Sequence, residues 1–535
     1  MDFLVNIAGL ANGFGVVLTP WNLLYAFVGV MIGTAIGVLP GLGPPATIAL
    51  LLPVTYGMDA TSAEPLSRPD PTSSGSPAPR ASTSWSRSPG CRTRRVCRRV
   101  GPCLTLLRFS RLRLSFRGRH AQAAVTILAL AQEKERGERM GGGAARIIEG
   151  GRVPVLSWCP SIERSAMSQA ENLARHPKVF HHVALMPDCH VGFGMPIGGV
   201  VACEGAVIPN AVGVDIGCGM SAVRTTLPVG SISREALLRI LAGIAGRIPV
   251  GEGNARKVPC RFPESLRLPE WLDRHGRDLA LHNLGTLGGG NHFIEIQAGS
   301  DGRIWMMIHT GSRNLGFRIA KHHNDIAVRM SRRFGSSPPD LAFLPADSAE
   351  GMLYISEMEC ALDYASENRR LVLADARAAF LEVAASSGFD RELTIHHNYA
   401  SLEKHFGQEV WVHRKGATSA LPGQPGIVPG SMGTASYIVA GLGNPDSFMS
   451  CAHGAGRTMG RRDATRRFTE EDCRRAMGSV IYGTAVPAGR STGFGAGVDL
   501  SEAPQAYKDI EEVMSRQADL MRPEVRLIPL GVLKG

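Results

Sequence analysis

The sequence lacks the cysteine spacings that stabilise small or secreted proteins. Its eleven cysteines are spread over 535 residues without a C-x-x-C pair, and the closely spaced cysteines and histidines of a structural zinc site are absent as well. These absences exclude a secreted disulfide scaffold and favour a protein of the reducing cytosol.

The first sixty residues lack charge. No Asp, Glu, Lys or Arg occurs between Asp2 and Asp59, and Leu23 to Leu39 is an apolar run that contains small residues. With its flanks this run reaches the roughly twenty apolar residues that span a bilayer, and a secretory signal is disfavoured because no basic segment precedes it. The stretch G-V-L-P-G-L-G-P at 37–44 resembles the N-terminus of TctA-type permeases of tripartite tricarboxylate transporters. The resemblance implies an apolar helical fragment over residues 1–62, and a membrane transport subunit is one interpretation of it.

Residues 71–131 lack Lys, Asp and Glu but contain twelve Arg. Without these twelve, 46 of the 58 basic residues remain against 47 acidic ones, so the net charge of +11 does not describe the whole protein surface. The Ser-, Pro- and Arg-rich composition predicts a disordered linker over residues 63–150. An RNA-binding arm is the alternative, since clustered Arg neutralises phosphates. The abrupt change of composition indicates a fused or frame-shifted reading frame.

From about Val153 onward the sequence is typical of an α+β protein. Short apolar runs that end in turns, such as Val200–Ala202 and Ala206–Ile208, predict strands. Apolar residues at helical spacing predict helices over Arg234–Ile248 and Met352–Ala385. We therefore expect a compact α+β domain over residues 151–535.

One glycine-flanked stretch, V-G-V-D-I-G-C-G-M, places a carboxylate and a thiol three residues apart. Asp215 and Cys218 can converge on one cation as its hard and soft ligand, and a buried turn with a small apolar cysteine is the plain alternative. Three histidines beside strand-like runs or polar turns favour the metal interpretation, namely His292, His309 and His397. Carboxylate, imidazole and thiolate together suit Mn²⁺ or Zn²⁺ with open positions, including a pair of ions that share Cys218.

A second stretch, C-A-H-G-A-G-R, combines His453 with small residues and Arg457. A histidine in this setting can attack phosphorus while backbone N–H groups and the arginine hold the phosphate oxygens. A glycine turn with a capping histidine is the alternative.

Eight motifs between about residue 153 and the C-terminus resemble the RtcB family of RNA-splicing ligases. In chain order they are V-G-V-D-I-G-C-G-M, G-G-G-N-H-F-I-E, H-T-G-S-R-N-L-G, H-H-N-Y, R-K-G-A, P-G-S-M-G-T-A-S-Y, H-G-A-G-R and A-Y-K-D. The resemblance implies an RtcB-like fold, in which β-sheets and flanking helices surround a dinuclear metal site.

Positions that match the family imply roles for individual residues. His453 is implied as the histidine that becomes covalently guanylylated, Asp188 and Arg313 are implied near the phosphate and the RNA end, and Arg414 and Lys415 are expected to contact the RNA backbone. The two-manganese site is implied for Asp215, Cys218, His292, His309 and His397. The guanylate-binding positions are implied to be Asn291, Glu295, Ser431, Ser436, Ala455, Gly456, Tyr507 and Lys534.

The activity that the resemblance implies is GTP- and Mn²⁺-dependent joining of RNA ends in tRNA splicing or RNA repair. An end with a 3′-phosphate or a 2′,3′-cyclic phosphate would be joined to a 5′-hydroxyl end through guanylylated His453 and a 3′-guanylated RNA. The alternative is a metal-dependent phosphoesterase that acts on nucleic acid or nucleotides. RNA and GTP are the expected partners, and a helper protein is a further candidate partner. A cytoplasmic location is expected, with a membrane tether only if residues 1–62 are expressed and inserted.

Overall fold

The computed structural model describes residues 139–140, 145–334, 337–484 and 498–535. The predicted apolar fragment at 1–62 and most of the predicted linker lie outside these residues. Among the residues that are described, no helix is both long enough and apolar enough to cross a bilayer.

The described residues alternate between strands and helices. The helices are α1 (Arg164–Ala174), α2 (Pro209–Val212), α3 (Arg234–Arg247), α4 (Arg274–Asn283), α5 (Arg313–Phe334), α6 (Ala349–Val383), α7 (Arg461–Arg467), α8 (Glu470–Met477) and α9 (Ile510–Arg516). Short 3₁₀ turns occur at Pro339–Leu341, Pro445–Ser447, Leu500–Glu502 and Pro504–Ala506. The strands up to β10 are β1 (Arg139–Met140), β2 (Arg146–Ile148), β3 (Val155–Ser157), β4 (Val179–Phe193), β5 (Met195–Cys203), β6 (Ala206–Val207), β7 (Gly219–Pro228), β8 (Phe293–Gly299), β9 (Arg303–Thr310) and β10 (Leu344–Pro345). The later strands are β11 (Phe389–His396), β12 (Asn398–His405), β13 (Gln408–Lys415), β14 (Ala417–Ser419), β15 (Pro425–Val428), β16 (Ser436–Gly441), β17 (Ser450–Ala452), β18 (Ile481–Thr484) and β19 (Met521–Lys534).

Two large sheets organise the domain. The eight-stranded sheet has the order β11-β7-β9-β8-β19-β16-β15, with β18 parallel to β19, and the seven-stranded sheet has the order β1-β2-β3-β4-β5-β13-β12. Most neighbouring strands are antiparallel, and β3 runs parallel to β4. This mixed helix and strand architecture agrees with the predicted α+β class.

The eight-stranded sheet is covered on both faces. Ile304, Met306 and Ile308 of β9 pack in one core cluster with residues of α3 and α6, whereas Trp305 and Met307 pack in another. Successive side chains of a strand point to opposite faces, so a strand that is buried on both faces is apolar throughout. Packing on both faces therefore holds these strands, and the residues at their ends, in fixed positions.

The seven-stranded sheet is also packed on both faces. Leu173 of α1 lies in one cluster with Leu185 and Val201, and Ile510 of α9 lies in another with Met186. The chain passes from the first sheet to the second at a single residue, because β11 ends at His396 and β12 begins at Asn398.

The structure confirms both predicted helices and corrects the predicted linker. Helix α3 matches the prediction of a helix over 234–248 to within one residue, and α6 covers the helix predicted at 352–385 with ends shifted by two to three residues. Strand β2 pairs with β3 through Ile147 and Leu156, and β1 pairs with β2. The linker predicted to end at residue 150 is therefore wrong at its end, because these strands extend the sheet and Ile148 packs on its α1 side.

Candidate metal and nucleotide site

Four predicted metal ligands lie at one edge of the eight-stranded sheet. Cys218 and His292 directly precede β7 and β8, His309 is the next-to-last residue of β9, and His397 directly follows β11. The antiparallel register aligns His309 with both Met220 and Phe293, and it aligns His396 with Gly219. Strand starts and strand ends therefore meet at the same edge, and side chains far apart in sequence converge there.

A glycine fixes the turn that presents Cys218. Gly217 has a φ of +76°, in the left-handed region that favours glycine, and a Cβ at this position would lie 2.9 Å from the Cβ of Ala365. Arg369 of the same helix, α6, donates a hydrogen bond of 2.9 Å to the Gly217 carbonyl. The turn is thus held against α6, and this contact fixes the position of the Cys218 thiol.

The distances between the donor atoms fit metal coordination. Cys218 Sγ lies 3.5 Å from His292 Nε2 and 3.3 Å from His309 Nε2. His309 Nε2 lies 3.4 Å from His397 Nε2, and His292 Nε2 lies 3.5 Å from Asp215 Oδ2. Donors around one tetrahedral ion lie roughly 3.3 to 3.8 Å apart, given bonds of about 2.0 to 2.3 Å. Cys218, His292 and His309 therefore form one candidate metal site, which Asp215 adjoins at His292 and His397 adjoins at His309.

The histidines of the site are held in the form that ligates metals. Burial lowers the pKa of His292, and it lowers the pKa of His309 and His397 well below the usual value. His309 Nδ1 donates to the Asn291 carbonyl at 3.0 Å, so Nε2 keeps its lone pair towards Cys218. His397 Nδ1 is buried without a hydrogen-bond partner in the described part of the chain. Neutral imidazoles with free lone pairs are what a divalent cation requires.

The thiol and the carboxylate respond oppositely to this setting. Burial, reinforced by Asp215, raises the pKa of Cys218 well above its usual value. Burial alone would raise the pKa of Asp215, but hydrogen bonding with His292 lowers it overall. A cation therefore has to displace the thiol proton, as metal ions do when cysteine coordinates them.

Arg313 lies behind one of the ligands. Its Nη1 is 3.0 Å from His292 Nδ1, and its Nε donates to Thr286 Oγ1 at 3.3 Å. A guanidinium can only donate, whereas ligation by His292 Nε2 leaves the ring proton on Nδ1. Metal binding therefore requires Arg313 to shift from this nitrogen. The implied role of Arg313 at the RNA end stays a prediction.

Asp188 reaches the site from the seven-stranded sheet, and His453 reaches it from the short two-stranded sheet that β14 and β17 form. His453 follows β17, and its ring centroid lies 4.9 Å from that of His397. Asp188 of β4 is fully buried, and its Oδ2 accepts hydrogen bonds from His453 Nδ1 at 2.6 Å and from the His453 backbone N–H at 3.2 Å. Gly456 makes room for this approach, because a Cβ there would lie 2.1 Å from the Asp188 carbonyl oxygen. Sequence reasoning assigned Asp188 to the RNA end, and the structure adds its contact with the nucleophile candidate.

A cavity of about 690 Å³ joins these groups. Of the predicted metal ligands, Asp215, Cys218, His309 and His397 line it together with His453. The predicted guanylate-binding residues that line it are Asn291, Glu295, Ser431, Ala455, Gly456, Tyr507 and Lys534. Ser436 lies one layer behind, where its hydroxyl meets Gln297 Nε2 at 3.2 Å.

The two residues expected to contact RNA backbone differ in position. Arg414 is fully buried, and its Nη2 donates to Glu403 Oε2 at 3.0 Å, so the prediction of an RNA contact is wrong for this residue. Lys415 lines the cavity, and burial lowers its pKa to about 7. Adjacent residues of a strand point to opposite sides, which explains the difference.

Sequence reasoning assigned no role to several residues of the cavity wall, among them Phe293, Arg461 and Glu502. Phe293 follows His292 inside a recognised motif, so its position was available from the sequence. Arg461 and Glu502 belong to no motif, and they meet through a contact of 2.7 Å across forty residues of chain. No local pattern signals such a pair.

Comparison with known proteins defines the class of enzyme. The family model described as "tRNA-splicing ligase RtcB" matches residues 169–267 and 264–535. The RNA-splicing ligase RtcB of Escherichia coli K12 is 37% identical over 410 residues, which cover 72% of this chain and 98% of the relative. That of Mycobacterium tuberculosis H37Rv is 35% identical over 69% of this chain and 100% of its own length. The tRNA-splicing ligase RtcB of Thermococcus kodakarensis is 32% identical over 69% of this chain and 91% of its own.

These similarities place the protein among the RNA-splicing ligases. The chain belongs to the RtcB family, which confirms the resemblance drawn from the eight motifs. A separate model, described as the tripartite tricarboxylate transporter TctA family, matches residues 23–66 and supports the second resemblance.

Proposed function

We propose that this protein joins RNA ends that carry a 3′-phosphate or 2′,3′-cyclic phosphate to ends that carry a 5′-hydroxyl, using GTP and two Mn²⁺ ions. One observation supports the proposal above all. The thiol of Cys218 lies 3.3 to 3.5 Å from the nitrogens of His309 and His292, and His453 adjoins this group through His397. A histidine nucleophile beside a two-ion ligand set suits transfer of a nucleotidyl group.

The ligands divide into two sets that share the thiolate. Asp215, Cys218 and His292 would hold one ion, and Cys218, His309 and His397 would hold the other. When bound, the ions would offset the negative charge of phosphate oxygens and polarise them. The mixture of one thiolate with imidazoles and a carboxylate is compatible with Mn²⁺.

Asp188 prepares His453 for attack. A carboxylate oxygen only accepts hydrogen bonds, so His453 Nδ1 carries the ring proton and Nε2 keeps its lone pair. As Nε2 bonds to phosphorus, positive charge develops on the ring, and the carboxylate 2.6 Å away stabilises it. Asp188 thereby orients the nucleophile and stabilises the positive charge that the ring gains as the bond to phosphorus forms.

The rest of the cavity suits a guanine nucleotide. Phe293 and the buried carboxyl of Glu295 lie on β8, close to Lys534, whose Nζ is 5.5 Å from the Phe293 ring. An aromatic face can pack against a purine, and an ionised carboxylate can accept from the N1–H and 2-amino groups of guanine. These two residues supply a physical basis for the choice of GTP.

The chemistry proceeds in three transfers. His453 Nε2 attacks the α-phosphorus of GTP and pyrophosphate leaves. The RNA 3′-phosphate then takes GMP from His453, which regenerates the imidazole and leaves a pyrophosphate linkage at the RNA end. Finally the 5′-hydroxyl of the second RNA attacks the RNA-side phosphorus, a phosphodiester forms, and GMP leaves. Activation is needed because a bare phosphate would have to expel oxide or hydroxide.

Incubation with Mn²⁺ and GTP labelled at its α-phosphate tests the proposal. We expect a protein-bound, acid-labile label, which is lost in His453→Ala and retained in His275→Ala, a control at an exposed histidine of α4. His453→Ala should still bind GTP and still seal RNA that already carries the 3′-guanylate, because a nucleophile contributes mainly to the transition state. An unlabelled wild-type protein, or a label that persists in His453→Ala, would contradict the proposal.

A further inference from the structure

A single buried carboxylate connects the cations at the nucleotide end of the cavity. Glu502 ends the 3₁₀ turn Leu500–Glu502 and is 0% exposed. Its Oε1 accepts hydrogen bonds from Arg461 Nε at 2.7 Å and from Arg457 Nη1 at 3.2 Å. Its Oε2 accepts from the Tyr507 hydroxyl and lies 3.4 Å from Lys534 Nζ. Each carboxylate oxygen of Glu502 thus contacts two side chains.

The charge of this cluster indicates an anionic ligand. Three cations surround one carboxylate, which leaves an excess of positive charge at the wall of the cavity. Burial alone would raise the pKa of Glu502, but Lys534 and Arg461 lower it to about 2, so the carboxylate stays ionised. Without its charge the cations would repel one another and tilt away from their present directions.

The two arginines of the cluster differ in the donors that they have left. Arg457 is bound along its length, with Nε on the Met459 carbonyl at 3.0 Å and Nη2 on the Ser501 carbonyl at 2.7 Å. Arg461 is fixed only through Nε, and among the described residues its two terminal nitrogens have no hydrogen-bond partner. Arg461 Nη2 lies 3.0 Å from where a Cβ of Gly290 would be, next to Asn291 at the metal edge. Arg457 therefore has a structural role, whereas the two terminal nitrogens of Arg461 can donate hydrogen bonds to a ligand.

We propose that Glu502 is a positioning residue, which holds Arg461 by its Nε so that the two terminal nitrogens of the guanidinium grip phosphate oxygens in the cavity. The inference rests on the proposed function and concerns the same cavity. A planar fork that is pinned at one nitrogen loses little freedom when it binds a phosphate in bidentate fashion. The phosphate belongs either to GTP or to the 3′ end of the RNA.

A double-mutant cycle between Glu502→Gln and Arg461→Gln tests this coupling. Guanylylation without RNA and transfer of GMP to a 3′-phosphorylated RNA are measured as separate steps, each with its half-saturating concentration. If the phosphate belongs to GTP, we expect Glu502→Gln to raise the half-saturating GTP concentration by about tenfold or more, as for loss of a buried charge-assisted hydrogen bond. If it belongs to RNA, the same rise appears in the RNA concentration instead. In either case the effect of Glu502→Gln should be clearly smaller in the Arg461→Gln background than in the wild-type protein, because the part of it that acts through Arg461 is already lost.

Matched variants separate this inference from a general loss of structure. Glu511→Gln removes a carboxylate whose partners, Tyr437 and Arg526, also are a tyrosine and an arginine. None of these three residues lines the cavity, so this variant should leave both steps unchanged. Arg461 is exposed, so Arg461→Gln tests the grip even if Glu502→Gln fails to fold. The inference is overturned if neither step changes in Arg461→Gln, or if the effects of the two substitutions multiply. A wild-type protein that takes no label from GTP would instead refute the proposed function.

Discussion

Replacing Asp188 by Asn probes how the nucleophile is prepared. The substitution keeps the shape of the side chain and removes its charge. Two outcomes are conceivable, because the new amide can place either its oxygen or its nitrogen against His453 Nδ1. With nitrogen there, the ring would keep its proton on Nε2 and could not attack, and a wrong tautomer of this kind costs about 10⁴-fold in rate.

The structure selects the milder outcome. The His453 backbone N–H points at the same oxygen, Asp188 Oδ2, at 3.2 Å, so only an acceptor fits at this position. The amide nitrogen is then directed to the place of Oδ1, which has no hydrogen-bond partner within the described residues. The tautomer is preserved, and what is lost is the difference between a charge-assisted and a neutral hydrogen bond, about 1 to 3 kcal/mol. At about 1.4 kcal/mol per tenfold, Asp188→Asn should slow guanylylation by roughly 5- to 150-fold.

The assay is single-turnover formation of the His453–GMP adduct at saturating GTP and Mn²⁺. Sealing of RNA that already carries the 3′-guanylate should change much less, because His453 is not the nucleophile in that step. Asp188→Ala should be slower than Asp188→Asn, since it removes the acceptor altogether. A rate equal to wild type would refute the orienting role of Asp188, and a loss of about 10⁴-fold would refute the argument from the backbone N–H.

Three further substitutions or truncations test other parts of the structure. Cys218→Ser should weaken Mn²⁺ binding by roughly 10²-fold or more, measured as metal content after dialysis, because the Cys218 thiolate is shared by both proposed ligand sets. Cys260→Ser is the control and should keep its metal content. Normal metal content in Cys218→Ser would argue against two ions. Burial raises the pKa of Glu295 to about 8, and its ionised form is the acceptor for guanine. The GTP concentration for half-saturation should therefore fall about tenfold between pH 6.5 and 8, and it should become independent of pH in Glu295→Gln. If the pH profile of that variant equals the wild-type profile, another group is responsible for the titration. Deletion of residues 1–138 should preserve GTP labelling and cooperative unfolding. Deletion of residues 1–150 also removes β1 and β2 and should lower the unfolding temperature. Equal unfolding temperatures of the two truncated proteins would show that these strands do not stabilise the domain.

The sequence by itself identified the family and predicted which side chains meet at the candidate metal site. Asp215, Cys218 and the three histidines stand beside glycines or at the ends of apolar runs, and such positions in a sheet lie at its edge, so short motifs sufficed to predict that they meet. Helices α3 and α6 were predictable for a similar reason, because each has a regular apolar face that packs on the sheet.

Only the tertiary structure decided which charged side chains face the cavity. Arg414 and Lys415 are neighbours in one motif, yet the first pairs with Glu403 in the interior and the second lines the cavity. Glu502 carries no signal in its local sequence, and it acquires its role from groups that lie up to 45 residues away along the chain. Periodicity and motifs report the local backbone, whereas the partner of a buried charge depends on how distant segments pack, and that is fixed only when the two sheets come together.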